Sequence, residues 1–144
     1  MKILVLSDSH FKKLNIMLDD YDYVIHCGDY GTASMKNIIY VKGNCDLMGD
    51  KEHLLNINDI KFYITHGDMY NVKYTYQSLY YKAMEVNCRV CLFGHTHKQT
   101  YFKENDIIFI NPGAYCNGEY CIISDNKITF FSDKKILEEF EVMW

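Results

Sequence analysis

The residues of this chain that could do chemistry recur at one kind of place, just after short apolar runs. Val90-Cys91-Leu92-Phe93 runs into Gly94, and His95 and His97 follow. Such a run reads as a buried strand ending at the glycine. Two histidines at i and i+2 can project to one side of a strand end, and neutral imidazole is the commonest protein ligand for metals. Alone the pair is weak, because a His-x-His is more often a packing accident. It gains weight from the other runs. Asp8 and His10 follow Lys2–Leu6, Asp29 follows 23–27, Asn44 follows 38–41, and His66 follows 61–65. Ligand sites in open α/β sheets form beyond the carboxyl ends of strands. Glycines beside these residues (28, 43, 67, 94) allow the sharp turns such a site needs.

Two carboxylates, one amide and four imidazoles make a mixed O/N donor set without thiolate. It suits Mn²⁺, Fe²⁺ or Zn²⁺ rather than Ca²⁺ or a structural zinc. Seven groups are too many for one tetrahedral ion and match two ions sharing a bridging carboxylate. The bland alternative for Asp8, Asp29 and Asn44 is strand-end turn chemistry. Other candidates read as structural first. His26 lies inside a strand pattern as a packed or supporting histidine, and His53 opens a strand. Tyr70, Tyr74 and Tyr76 either line a cleft or pack a tyrosine-rich helix. Cys88 and Cys91 form a C-x-x-C with no second pair, which reads as buried thiols.

The elements that must position these groups follow from periodicity. Strands at Lys2–Leu6, 23–27 and 38–41 alternate with expected helices at 11–20 (Leu14, Met17 and Leu18 inward) and 32–36. That order implies parallel pairing with right-handed crossovers. Segments 53–57 and 61–65 form a hairpin through Asn58-Asp59. The longest helical pattern is 72–86, with Tyr76, Leu79, Tyr80 and Ala83 inward. After the strand at 90–93 come short strands at 100–102, 107–110, Glu119–Ser124 and 128–132, and an edge strand near 140–143. Two sheets packed face to face with helices outside accommodate this pattern.

Composition sets the bounds. The 144 residues are 49% hydrophobic with 13 tyrosines, a folded composition expected to form one domain over 1–144. The net charge of −4 and the lack of a basic tract argue against an extended nucleic-acid partner or a membrane surface. No apolar run is long enough to span a bilayer, and the opening stretch turns acidic too soon for a signal peptide. A cytoplasmic location with reduced cysteines is therefore expected. The only arginine, Arg89, starts the strand whose far end carries His95, on the order of 13 Å from the ligands.

Taken in order, Asp8-x-His10, Gly28-Asp29, Gly43-Asn44, His66-Gly67, Gly94-His95-x-His97 and Asn111-Pro112-Gly113 resemble the calcineurin-like metallophosphoesterase superfamily, and within it the small YfcE-type phosphodiesterase branch. The resemblance runs from residue 2 to about 132. It implies an α/β fold, a four-layer αββα sandwich of two mixed β-sheets flanked by helices. It also implies a dinuclear-metal phosphoesterase acting on a small phosphodiester, with a hydroxide held between two divalent transition-metal ions. Asp8, His10 and His97 would hold the first ion, Asn44, His66 and His95 the second, and Asp29 both. Mn²⁺ is the favoured metal, with Fe, Ni, Co or Zn as alternatives. Three positions depart from the family. Cys45 follows Asn44 where larger relatives carry a histidine that aids the leaving group. Asp68 replaces a histidine after His66-Gly67, and Ala114 replaces a serine after Asn-Pro-Gly. Alternatives are a protein-binding scaffold on the same fold, or a nuclease. The expected partner is a small phosphoester, and a homo-oligomer is left open.

Overall fold

The computed structural model describes residues 1–31 and 35–144. In chain order the regular elements are β1 (Lys2–Leu6), β2 (Tyr23–His26), β3 (Ile39–Tyr40), β4 (Glu52–Ile57), β5 (Ile60–Thr65), α1 (Gln77–Glu85), β6 (Val90–Leu92), β7 (Thr100–Glu104), β8 (Ile107–Asn111), β9 (Glu119–Ser124), β10 (Lys127–Ser132) and β11 (Lys135–Glu141). They build two mixed sheets, ordered β11-β10-β9-β1-β2-β3 and β4-β5-β6-β8-β7. β1, β2 and β3 are parallel, as are β5, β6 and β8. Each parallel set therefore points its carboxyl ends the same way.

The central strands are apolar on both faces, as strands covered on both sides must be. Ile3 and Val5 of β1 face the other sheet, where they meet Phe62, Ile64, Val90, Leu92, Ile108 and Ile110. Leu4 and Leu6 face outward and pack with Val24, Ile38, Tyr115 and Tyr120. On the second sheet, Tyr63, Cys91 and Phe109 face outward onto Leu79 and Ala83 of α1. One-residue alternation along β1, β5 and β6 thus serves two cores at once.

The main departure from expectation is the segment 11–20, which is not an α-helix. Its helical part is confined to Leu18–Asp20, a short 3₁₀ segment. Leu14, Ile16 and Leu18 pack against the outer face of the six-stranded sheet, while Met17 is 70% exposed. The inward period is two, so this cover is an extended chain; Leu14, Met17 and Leu18 imitate a helical stripe. Its backbone is tied locally by the Asn15 N–H bond to the Tyr115 hydroxyl. The expected helix at 32–36 falls largely on residues outside those described. The helix expected at 72–86 begins only at Gln77, because Asn71 is left-handed (φ 52°) and the chain turns through 71–74 before it. β11 occupies the expected edge but starts earlier than 140. Asn58 and Asp59 form the β4–β5 turn with φ of 49° and 64°, as an Asn-Asp hairpin should. Arg89 is fixed at the far end of β6 by donating to the carbonyls of Asp106 and Met143. Among the described residues, no helix is long and apolar enough to cross a membrane.

Candidate metal centre

The parallel strands deliver their polar ends to one edge, and each sheet supplies half of the set. Asp8 and His10 follow β1 and Asp29 follows β2 in the six-stranded sheet. His66 follows β5, and His95 and His97 follow β6, in the five-stranded sheet. Among the groups of ligand atoms that result are Asp8–His10–His97 and Asp29–His66–His95. In the first, His97 Nε2 is 3.2 Å and His10 Nε2 3.6 Å from Asp8 Oδ1, and the two Nε2 atoms are 3.2 Å apart. In the second, His66 Nε2 is 3.2 Å from Asp29 Oδ2 and 3.2 Å from His95 Nδ1. Asp29 Oδ2 also lies 3.8 Å from His10 Nε2, so this carboxylate borders both groups.

Hydrogen bonds outside the groups fix which atoms face inward. Asp8 Oδ2 accepts from the Ser7 hydroxyl at 2.6 Å and from the His95 N–H at 3.0 Å. Asp29 Oδ1 accepts the Cys45 N–H at 2.9 Å. His66 Nδ1 lies 2.8 Å from the Cys27 carbonyl. A carbonyl only accepts, so Nδ1 carries the hydrogen and Nε2 is the ligating atom. Below the site His26 is fully buried, and its Nδ1 accepts the Gly28 N–H at 3.1 Å. Its Nε2–H therefore donates to the Ser9 hydroxyl at 2.6 Å. Burial pushes the His26 ring down to about 3, which keeps it neutral. Burial would raise the Asp29 carboxyl, but the His66 hydrogen bond and charge and the Cys45 N–H outweigh it and bring it down to about 2. Burial likewise opposes the His66 charge, and the Asp29 and Asp8 carboxylates outweigh it to raise the ring.

The donor set fits divalent cations by its own imbalance. Asp8 Oδ1 is buried without a hydrogen-bond donor. Two pairs of ring nitrogens face each other at 3.2 Å. Lone pairs converging on an orphaned carboxylate oxygen need a proton or a cation between them. The backbone is also strained here. Asp8, His10, Asp29, His95 and His97 all have positive φ, between 44° and 70°. Non-glycine residues hold that conformation only when the surroundings fix it, and they cluster at functional sites.

The two aspartates and four histidines singled out in the sequence are thus brought together. Asn44 is exposed, with its amide N–H directed to Cys45 Sγ at 3.7 Å. Tyr70 and Tyr76 serve packing: the Tyr70 hydroxyl lies 2.9 Å from that of Tyr63, and Tyr76 stacks on Phe102. Of three supporting residues, Asp46 and Ser7 were not singled out, and Asn111 was named only within its motif. Buried Asp46 accepts the N–H groups of Asp29, Gly43 and Gly31, so one carboxylate joins two ligand loops. Ser7 holds Asp8, and Asn111 donates to the Gly94 carbonyl and to Thr96 Oγ1. Their positions inside the Asn-Cys-Asp, Ser-Asp and Asn-Pro-Gly runs were the available signals.

Known proteins resemble this chain in sequence and in fold. A family model described as the calcineurin-like phosphoesterase superfamily domain matches residues 1–126. The probable metallophosphoesterase YsnB of Bacillus subtilis is 33% identical over 79% of this chain and 75% of its own. The phosphodiesterase MJ0936 of Methanocaldococcus jannaschii is 32% identical over 81% and 85%. A Streptococcus pneumoniae protein described as a predicted phosphoesterase superposes with a TM-score of 0.85 at 27% identity, over 97% of both chains. Escherichia coli YfcE (TM-score 0.69, 16% identity, 99% and 100% covered) and Zn²⁺-bound Vps29 of Entamoeba histolytica (0.80, 18%, 98% and 99%) share the fold. The two-sheet architecture, the clustered O/N donors and these likenesses together make this chain a member of the calcineurin-like phosphoesterase superfamily, a metal-dependent phosphoesterase.

Proposed function

We propose that the protein is a phosphodiesterase that hydrolyses small phosphodiesters with two divalent ions, Mn²⁺ foremost. Asp8, His10 and His97 hold one ion, Asn44, His66 and His95 the other, and Asp29 both. The observation that carries this reading is the pair of donor groups bordering one shared carboxylate, with Asp8 Oδ1 left without a donor between them. Bound there, divalent ions supply positive charge to the phosphoryl oxygens and lower the pKa of the attacking water. The protein's own part is to keep the donors aimed. The Cys27 carbonyl fixes the His66 tautomer, and the Cys45 N–H and Asp46 fix the Asp29 carboxylate and its backbone.

Two observations favour a diester. A dianionic monoester is best held by guanidinium forks, and the single arginine is tied to carbonyls at the opposite end of β6. Lys98 is exposed beside His97 and Lys73 acts on His95, so these nearby cations are simple ammonium groups without a guanidinium fork. Cys45 stands where larger relatives place the imidazole that assists the leaving group, so acidic leaving groups are favoured. The named activity of MJ0936 supports the same class. All six cysteines are free, which suits a reducing cytoplasm.

The test joins metal analysis to a substrate comparison. The wild type should carry two ions per chain, as should His53→Ala, and Asp29→Ala should not. Aryl diesters should give a higher kcat/KM than matching alkyl diesters or aryl monoesters. Two ions retained in Asp29→Ala would refute the assignment, and a clear preference for p-nitrophenyl phosphate over its bis-aryl diester would refute the substrate class.

A further inference from the structure

The donor groups above leave one neighbour unused. Cys45 Sγ, a ring nitrogen of His10 and a carboxylate oxygen of Asp29 lie within 4.8 Å of one another. His10 belongs to one proposed ion and Asp29 to both, so the thiol stands at the boundary between them on the exposed side. Its position is not loose. The Cys45 N–H is bonded to Asp29 Oδ1, and Sγ receives the Asn44 amide at 3.7 Å. A second observation calls for a cation beside the same His10 ring: Asp8 Oδ1, fully buried and without a donor, lies 3.2 Å from His97 Nε2 and 3.6 Å from His10 Nε2.

We propose that Cys45 is a sulfur ligand of this centre, completing a His10–Asp29–Cys45 face when a thiophilic divalent ion such as Zn²⁺ or Co²⁺ is bound. The inference rests on the metal-centre reading above. In forming the bond the S–H breaks, the sulfur lone pair goes to the metal, and the proton leaves to solvent. Thiolate prefers softer ions, whereas oxygen and imidazole alone accept Mn²⁺. The thiol would therefore tilt the centre from Mn²⁺ toward Zn²⁺ without adding a new pocket.

The test uses a readout other than turnover. Metal-free full-length protein is titrated with Co²⁺, and the near-ultraviolet sulfur-to-cobalt charge-transfer band is recorded together with bound metal per chain. The wild type and Cys116→Ser should show the band, and Cys45→Ser should lose it while still binding Co²⁺. Zn²⁺ should also protect Cys45 from iodoacetamide in peptide mapping. Two bound Co²⁺ ions with no band in the wild type would overturn the proposal while leaving the two-ion reading intact. A band that survives in Cys45→Ser would overturn it as well. Failure to bind Co²⁺ at all would overturn both.

Discussion

Left-handed backbone gathers at both ends of this sandwich, and the two ends use it differently. At the far edge, Asn58-Asp59 and Asn105-Asp106 close β4–β5 and β7–β8 with positive φ, and Asp125 does so between β9 and β10. Asn and Asp tolerate that region, and a two-residue hairpin asks for it, so these turns cost little. At the ligand edge the same conformation falls on His10, His95 and His97 and on buried Asp8 and Asp29. Phe11 beside them has φ of 71° and is 70% exposed. Such residues cost of order 1–3 kcal/mol each and persist only where other bonds fix them. Those bonds are present: the Asp8 N–H donates to the Gly28 carbonyl and the His10 N–H to the Asp29 carbonyl. Positive φ in the far hairpins serves the fold, as it does in the Asp133-Lys134 turn beside the ligand edge, whereas on the ligand residues themselves it aims side chains.

The largest expected break in this contrast is at Gly94. Its missing Cβ would stand 1.9 Å from Ser7 Oγ and 2.7 Å from Asp8 Oδ2. Gly94→Ala should displace the Asp8 support and lower kcat/KM by roughly a hundredfold, the scale of a misplacement of about 1 Å. Asn58→Ala at the far edge should cost about 1 kcal/mol of stability and leave kcat/KM and metal content unchanged. Steady-state kinetics and denaturant unfolding on both variants check the pair, and equal losses of activity would erase the distinction.

Acid should act on the ligand edge next. Neutral His26 accepts the Gly28 N–H, and its ring titrates at about 3 against an ordinary 6.5. Between those values the unfolded chain binds the proton and the folded chain does not. This contribution is therefore complete above about pH 6.5 and declines as pH falls toward 3, by about 1.4 kcal/mol per pH unit within that window. Unfolding of metal-free wild type and His26→Gln across that range should converge in acid, and parallel curves would show that His26 carries no such linkage. The smallest effect belongs to the far edge. Asp59→Gly makes the preferred Asn-Gly turn and should raise stability by about 0.5 kcal/mol without touching metal content, as thermal unfolding and metal analysis would show.

The strands and the ligand edge were legible in the sequence because both depend on short-range signals. Apolar runs ending in turn residues marked the strand ends, and the aspartates and histidines that follow them meet in space. The segment 11–20 was not legible. Leu14, Ile16 and Leu18 face the sheet, yet Met17 fills the gap that would have revealed a period of two. Asp46 was missed for another reason. Its role is to accept backbone N–H groups from Asp29 and Gly31, fifteen or more residues away, and no spacing within its own loop announces that. Asn44 was evident from its motif position, and its amide N–H lies against Cys45 Sγ.

The division of donors between the two sheets has a consequence for how the chain folds and comes apart. Asp8, His10 and Asp29 belong to one sheet, and His66, His95 and His97 to the other, joined only across a core that must first be closed. Neither half can hold an ion with full strength before the sheets dock, so the centre matures late in folding. An ion bound across that seam stabilises the native state and not its precursors, with a gain that grows as the logarithm of its free concentration. Separation of the sheets would therefore release any ion held across the seam in one cooperative event.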